Sequence, residues 1–84
     1  MTYRIRFTKL AAKDVQKLSP KLQQKLKEIL RNRIAIDPYG GKPLTGELKG
    51  FYSMRLSHQD RIVYSIHDDE LIVVLMRART HYGD

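Results

Sequence analysis

The chain of 84 residues carries 16 Lys and Arg against 9 Asp and Glu, a formal charge of +7, with 42% apolar and 30% charged residues. It is too apolar for a disordered tail and too short for two cores, so it reads as one small domain over residues 1–84. The absence of cysteine excludes a disulfide framework and a thiolate metal site. No apolar run reaches the ~18 residues that span a bilayer, and Met1-Thr2-Tyr3-Arg4 lacks a signal-peptide core, so the expected address is cytoplasmic with no membrane partner.

Tyr3, Ile5 and Phe7 alternate with Arg4, Arg6 and Thr8, a period of two that predicts a half-buried first strand. Thr8 is placed to N-cap a short helix with apolar positions Leu10, Ala11, Val15 and Leu18. Ser19-Pro20 ends that helix and starts the next, with serine as N-cap and proline at the first helical position. Leu22, Leu26, Ile29 and Leu30 then share one face, Ile34 continues the stripe, and Lys21, Lys25, Lys27 and Arg31 point elsewhere. Asp37-Pro38-Tyr39-Gly40-Gly41 cannot continue a helix, so residues 8–36 are expected to form a helical hairpin.

After a connecting stretch, Lys42 to Gly50, period two returns in Tyr52, Met54 and Leu56 and again in Ile62, Tyr64 and Ile66. His67-Asp68-Asp69-Glu70 is a polar turn, and Leu71 to Met76 is apolar on both faces, as a central strand requires. The expected fold is α+β: a strand, a two-helix hairpin, then a three-stranded antiparallel meander, with the helices packed on one face of the sheet. The place of the first strand in the sheet is not legible at this level.

Charge is distributed unevenly. Residues 1–42 hold eleven Lys and Arg against three Asp and Glu, and residues 43–84 hold five against six. A basic half of this kind suits a polyanion or an acidic protein partner, although lysine-rich helices also serve as plain solvated faces. Phosphate loops, metal-ligand pairs and nucleophile elbows are missing, and His58, His67 and His81 fall in different segments, so neither a metal nor another cofactor is expected. What remains is arginine on strands. Arg55 and Arg61 flank a hairpin turn on the parity opposite to the apolar set, and Arg77, Arg79 and His81 share one parity at the chain end. If helices cover one sheet face, the other is left carrying arginine, whose rigid fork suits phosphate. The competing reading is that these are solvated or snorkelling surface residues.

The run Pro43-Leu44-Thr45-Gly46-Glu47-Leu48-Lys49-Gly50-Phe51-Tyr52-Ser53-Met54-Arg55-Leu56, followed by Asp60-Arg61-Ile62-Val63-Tyr64-Ser65-Ile66 and Asp68-Asp69, resembles the RelE/ParE superfamily of small toxins. Arg79-Thr80-His81-Tyr82 is similar to the ending of its YoeB/Txe branch. The resemblance implies the toxin of a type II toxin–antitoxin system: a metal-independent endoribonuclease that cuts mRNA in the ribosomal A site by 2′-OH attack and so inhibits translation. It also implies a cognate antitoxin and contacts to 16S rRNA. By the same resemblance Arg61 takes the scissile phosphate, Arg55 clamps phosphate or transition state, and His81 and Tyr82 complete the catalytic set. His81 is the acid/base, being titratable near neutrality. Lys42, Lys49, Arg77 and Arg79 are the expected RNA- and phosphate-binding residues. The sequence departs from YoeB-like members at Lys42, where they carry a glutamate two residues before the leucine of the proline-leucine pair; Glu47 is the nearest carboxylate to act as base. Two alternatives stand beside the nuclease: a ParE-like DNA gyrase poison, and an inactive member that only binds RNA or antitoxin.

Overall fold

The alternation at the start of the chain forms strand β1, Arg4–Phe7, in the computed structural model, which describes residues 2–78. Helix α1, Lys9–Lys17, follows at once because the Thr8 hydroxyl accepts the Ala11 N–H at 3.0 Å, a cap contributing about 0.5–2 kcal/mol. Ser19 caps α2, Pro20–Ile29, in the same way, with Pro20 at the first turn. The elbow between the helices is held by Gln23, whose side-chain amide donates to the carbonyls of Val15 at 2.7 Å and Leu18 at 3.3 Å. Nothing in the apolar periodicity pointed to that contact.

The predicted second helix changes its winding before it ends. Leu30–Ile34 form a wider π turn, with the Ala35 N–H donating to the Leu30 carbonyl at 2.8 Å. The extra residue per turn keeps Leu30 and Ile34 both in the core. A short turn, Pro38–Gly40, leads into β2, Lys42–Pro43, a two-residue strand inside the expected connection Lys42 to Gly50.

Strands β3 (Phe51–Arg55), β4 (Arg61–His67) and β5 (Ile72–Arg77) form the expected antiparallel meander. The sheet has five strands in the order β1-β5-β4-β3-β2, with β1 parallel to β5 and β2 antiparallel to β3. The apolar run of β5 therefore lies between two neighbours, as its composition required.

The helices pack on one face of this sheet. Leu18, Leu26, Ile29, Leu30 and Ile34 meet Ile62, Tyr64, Val73 and Leu75, with Tyr3, Ile5, Tyr52 and Met54 at the margins. Each fully buried side chain of this size contributes about 1.5–3 kcal/mol. One predicted position differs. Leu10, read as part of the apolar stripe of α1, is exposed, whereas Asp14 is buried; the short helix turns its Ala11 side to the sheet and leaves Leu10 at the rim.

One irregularity decides where the arginines go. Tyr64 pairs with Leu75 but Val63 pairs with Arg77, so Met76 is an extra residue in β5. Such a bulge reverses the alternation beyond it. Val73 and Leu75 face the helices before the bulge, and Ala78, not Arg77, occupies the core after it.

Candidate functional site

The far face of the sheet, turned away from the helices, is laid out in rows by the strand register. Lys42, Ser53, Val63 and Arg77 form one row across β2, β3, β4 and β5. Arg55 and Arg61 form the next row, and Phe51, Ser65, Val74 and Arg6 the row on the other side. With neighbouring strands about 4.8 Å apart, Lys42 and Arg77 stand roughly 14 Å from each other. Cations thus rim the face, and its middle is small or apolar.

Arg55 and Arg61 are Cα partners on adjacent strands. Like charges directly opposite each other are unfavourable in a sheet. Of Arg55, Arg61 and Arg77, only Arg77 makes an ion pair among the described residues. Arg61 is half-buried and Arg55 exposed, so both forks remain available to an anion. The turn joining their strands is hydrogen-bonded within itself: the Asp60 carboxylate accepts the Ser57 hydroxyl at 3.1 Å, and the Ser57 hydroxyl accepts the Asp60 N–H at 3.0 Å.

Arg77 reaches the same face, but through the bulge and with its guanidinium engaged. Its Nε donates to Asp14 Oδ2 at 2.7 Å and its Nη2 to Oδ1 at 3.2 Å. The same carboxylate accepts the Ala78 N–H at 3.2 Å. A bidentate pair anchored on a buried Asp is a structural use of arginine, so Arg77 serves as a pinned wall where a free phosphate fork was expected.

Lys42 is brought to the face by a close approach. A Cβ on Gly41 would collide with the Tyr64 hydroxyl and stand 2.9 Å from the Ser53 carbonyl oxygen, so only glycine lets β2 dock there. Tyr64 donates to the Pro38 carbonyl at 2.6 Å; burial pushes its phenol up to about 12, which keeps it a neutral donor. Tyr39 packs edge-on against Tyr52, and Tyr52 stacks on Tyr64. Asp68 accepts from Tyr3 at 2.6 Å and also from Tyr39. Those hydrogen bonds hold its carboxyl below the ordinary range. In sequence Tyr39 belongs to a stop signal and Asp68 to a polar turn; only the pairing of distant segments reveals the clamp.

Glu47 and Lys49 are exposed in and just after the Gly46–Leu48 turn, which closes on Gly50 at φ +100°. Glu47 is thus set on a surface turn with no described partner. Arg79, His81 and Tyr82 lie outside the described residues. No group of three or more metal-ligating side chains occurs among the described residues, and no helix there is long and apolar enough to cross a membrane.

Comparison with known proteins bears on the family and the fold. Residues 7–82 match a family described as the YoeB-like toxin of bacterial type II toxin-antitoxin systems. The toxin RelG of Mycobacterium tuberculosis is 36% identical over 79 residues, covering 93% of this chain and 90% of that protein. The toxin RelK of the same organism is 42% identical over 57 residues, where the match spans 63% of this chain and 65% of RelK. Among solved structures, the toxin–antitoxin complex RelBE2 from Mycobacterium tuberculosis superposes with a TM-score of 0.86 at 34% identity, covering 100% of this chain and 95% of that one.

Proposed function

The chain belongs to the YoeB-like toxins of bacterial type II toxin–antitoxin systems, and on that premise we propose that it is a ribosome-dependent endoribonuclease restrained by a cognate antitoxin. The observation that carries this reading is the Arg55–Arg61 pair, two cross-strand cations on the far face with no carboxylate partner among the described residues.

The chemistry follows from RNA itself. The ribose 2′-OH supplies the nucleophile and attacks the adjacent phosphate in line, leaving a 2′,3′-cyclic phosphate and a 5′-hydroxyl. Negative charge builds on the phosphorane, and Arg61 and Arg55 stabilise it from a rigid strand pair. His81 protonates the leaving 5′-oxygen, Tyr82 stacks on a splayed base, and Glu47 is the carboxylate assigned to take the 2′-OH proton. Lys42 and Lys49 hold flanking phosphates, with Arg79 beside them. The basic surface of α1 and α2 meets 16S rRNA or, in the inhibited state, an acidic antitoxin; the site of action is then the cytoplasm.

The test is cleavage of mRNA on programmed ribosomes by the purified protein. Cuts should be far faster than on free RNA, with cyclic or 3′-phosphate ends and 5′-hydroxyls. Ends bearing 5′-phosphate would sink 2′-OH attack, and intact mRNA with inhibited gyrase supercoiling would transfer the reading to the ParE-like alternative.

A further inference from the structure

A pocket of about 250 Å³ opens on the far face where the bulge of β5 meets the start of α1 and the Gly46–Leu48 turn. Leu10, Leu48, Phe51, Val63, Met76 and Arg77 are among its walls. Three of these positions are otherwise hard to explain. Leu10 is 56% exposed on a helix with an apolar face available to bury it. Leu48 lines the hollow from a surface turn, and Met76 is the residue the bulge adds to β5. Each contributes an apolar wall to one hollow that the core does not use.

The surroundings say what the hollow holds. It is smaller than a drug-sized ligand site and suits one planar ring system. Phe51 supplies an aromatic ring, and Met76 a polarizable thioether that adapts to flat partners. Val63, at its floor, lies two residues along β4 from Arg61 on the same face, about 6.6 Å away. That is within the span of one nucleotide from phosphate to base. Arg77 forms a wall, Arg6 stands in the row on one side of Val63, and Arg61 and Arg55 in the row on the other. These surroundings suit a ring whose face lies on Phe51 and Met76, whose polar edge is left toward the open side, and which is carried on an anionic backbone.

We propose that this pocket receives one unstacked base of the RNA whose phosphate lies on Arg55 and Arg61, and that Leu48, Phe51 and Met76 set base preference next to the cut. The identity of the polymer rests on the nuclease reading; the base-binding property does not. Apolar walls around an aromatic ring read a base by size and stacking, so purines and pyrimidines should be separated more strongly than members of one class.

Two measurements decide it. In the first, methyl NMR signals of Leu10, Leu48, Val63 and Met76 in the wild-type protein are followed while ribonucleoside 5′-monophosphates are added, with ribose 5-phosphate as the baseless control. Shifts with the nucleotides and not with the control are expected, and they should vanish in Leu10→Trp, which fills the hollow from an exposed position. Equal shifts with the control, or none with any nucleotide, would overturn the proposal. In the second, cut sites on programmed ribosomes are mapped for wild type, Leu10→Trp and Leu48→Trp. Both variants should flatten base preference and lower kcat/KM about tenfold or more at preferred sites, the range that loss of one base–aromatic stack produces. Unchanged maps and rates would overturn the pocket while leaving the nuclease reading intact. A wild-type protein that shifts with nucleotides yet cuts nothing would reject the nuclease reading and keep the pocket. Shifts produced only by an apolar antitoxin peptide would make it a protein contact and reject the base.

Discussion

The same strands build two unlike surfaces. Toward the helices, β4 and β5 present Ile62, Tyr64, Val73 and Leu75, all fully buried. Away from them, the alternate residues are Arg61, Val63, Ser65 and Val74, bordered by Arg55, Lys42 and Arg77. A sheet with helices packed on one face can assign stability to that face and chemistry to the other, because side chains two residues apart share a face and neighbours do not. Substitutions on the two faces should therefore fail in different ways.

The largest effect should come from the covered face. Leu75→Ala removes a fully buried side chain beside β1 and should lower unfolding free energy by about 2–5 kcal/mol. For a domain this small that is a large fraction of the total, so urea titration should find a substantial unfolded population. Arg61→Ala should do the reverse. Its denaturation midpoint should stay close to wild type, or rise slightly as the opposed Arg55 loses a like charge. Cleavage on ribosomes should fall by a factor equivalent to about 2.7–4 kcal/mol. Equal losses of stability in the two variants would break the division between the faces.

Asp14 and Arg77 join the faces, so they should show an intermediate pattern. Asp14→Ala removes a bidentate ion pair and leaves the Ala78 N–H without its acceptor. About 1–3 kcal/mol of stability should go with it, toward the lower end because the Arg77 side chain is 35% exposed. A double-mutant cycle with Arg77→Ala should be strongly non-additive, since each single change ends the same contact. Additive losses would mean that the pair is not a unit.

The smallest effect concerns pH. Asp68 is held ionised below its ordinary range by the hydroxyls of Tyr3 and Tyr39. Its contribution is present above the usual carboxylate value, about 3.9, and is lost as pH falls through that value toward the lowered one. Tyr39, hydrogen-bonded to that carboxylate, and Tyr64, buried, are both pushed up to about 12 from 10.0. Their contribution is present below pH 10 and is lost as pH rises through 12. Thermal melts across both limits should therefore show modest losses at each end, and Asp68→Asn should blunt the acid limb while sparing the far face. An acid limb unchanged in Asp68→Asn would remove the clamp from the account of stability.

What the sequence determined by itself was whatever repeats locally. Period two in Tyr52 to Leu56 and in Ile62 to Ile66 marked the meander, and Thr8 and Ser19-Pro20 marked both helix starts, because caps and alternation depend on neighbours a few residues away. Arg55 and Arg61 were legible as flanking one short hairpin turn for the same reason, and the strand register then set them directly opposite each other. Tertiary structure decided the rest. The docking of β1 beside β5, the pairing of Lys42 with Ser53, and the burial of Asp14 against Arg77 each join segments distant in the chain. The bulge at Met76 has no local signature either, yet it sends Arg77 to the far face and Ala78 to the core. Periodicity records which residues prefer water, but the register between strands, set by the packing of the whole sheet, determines which of them meet.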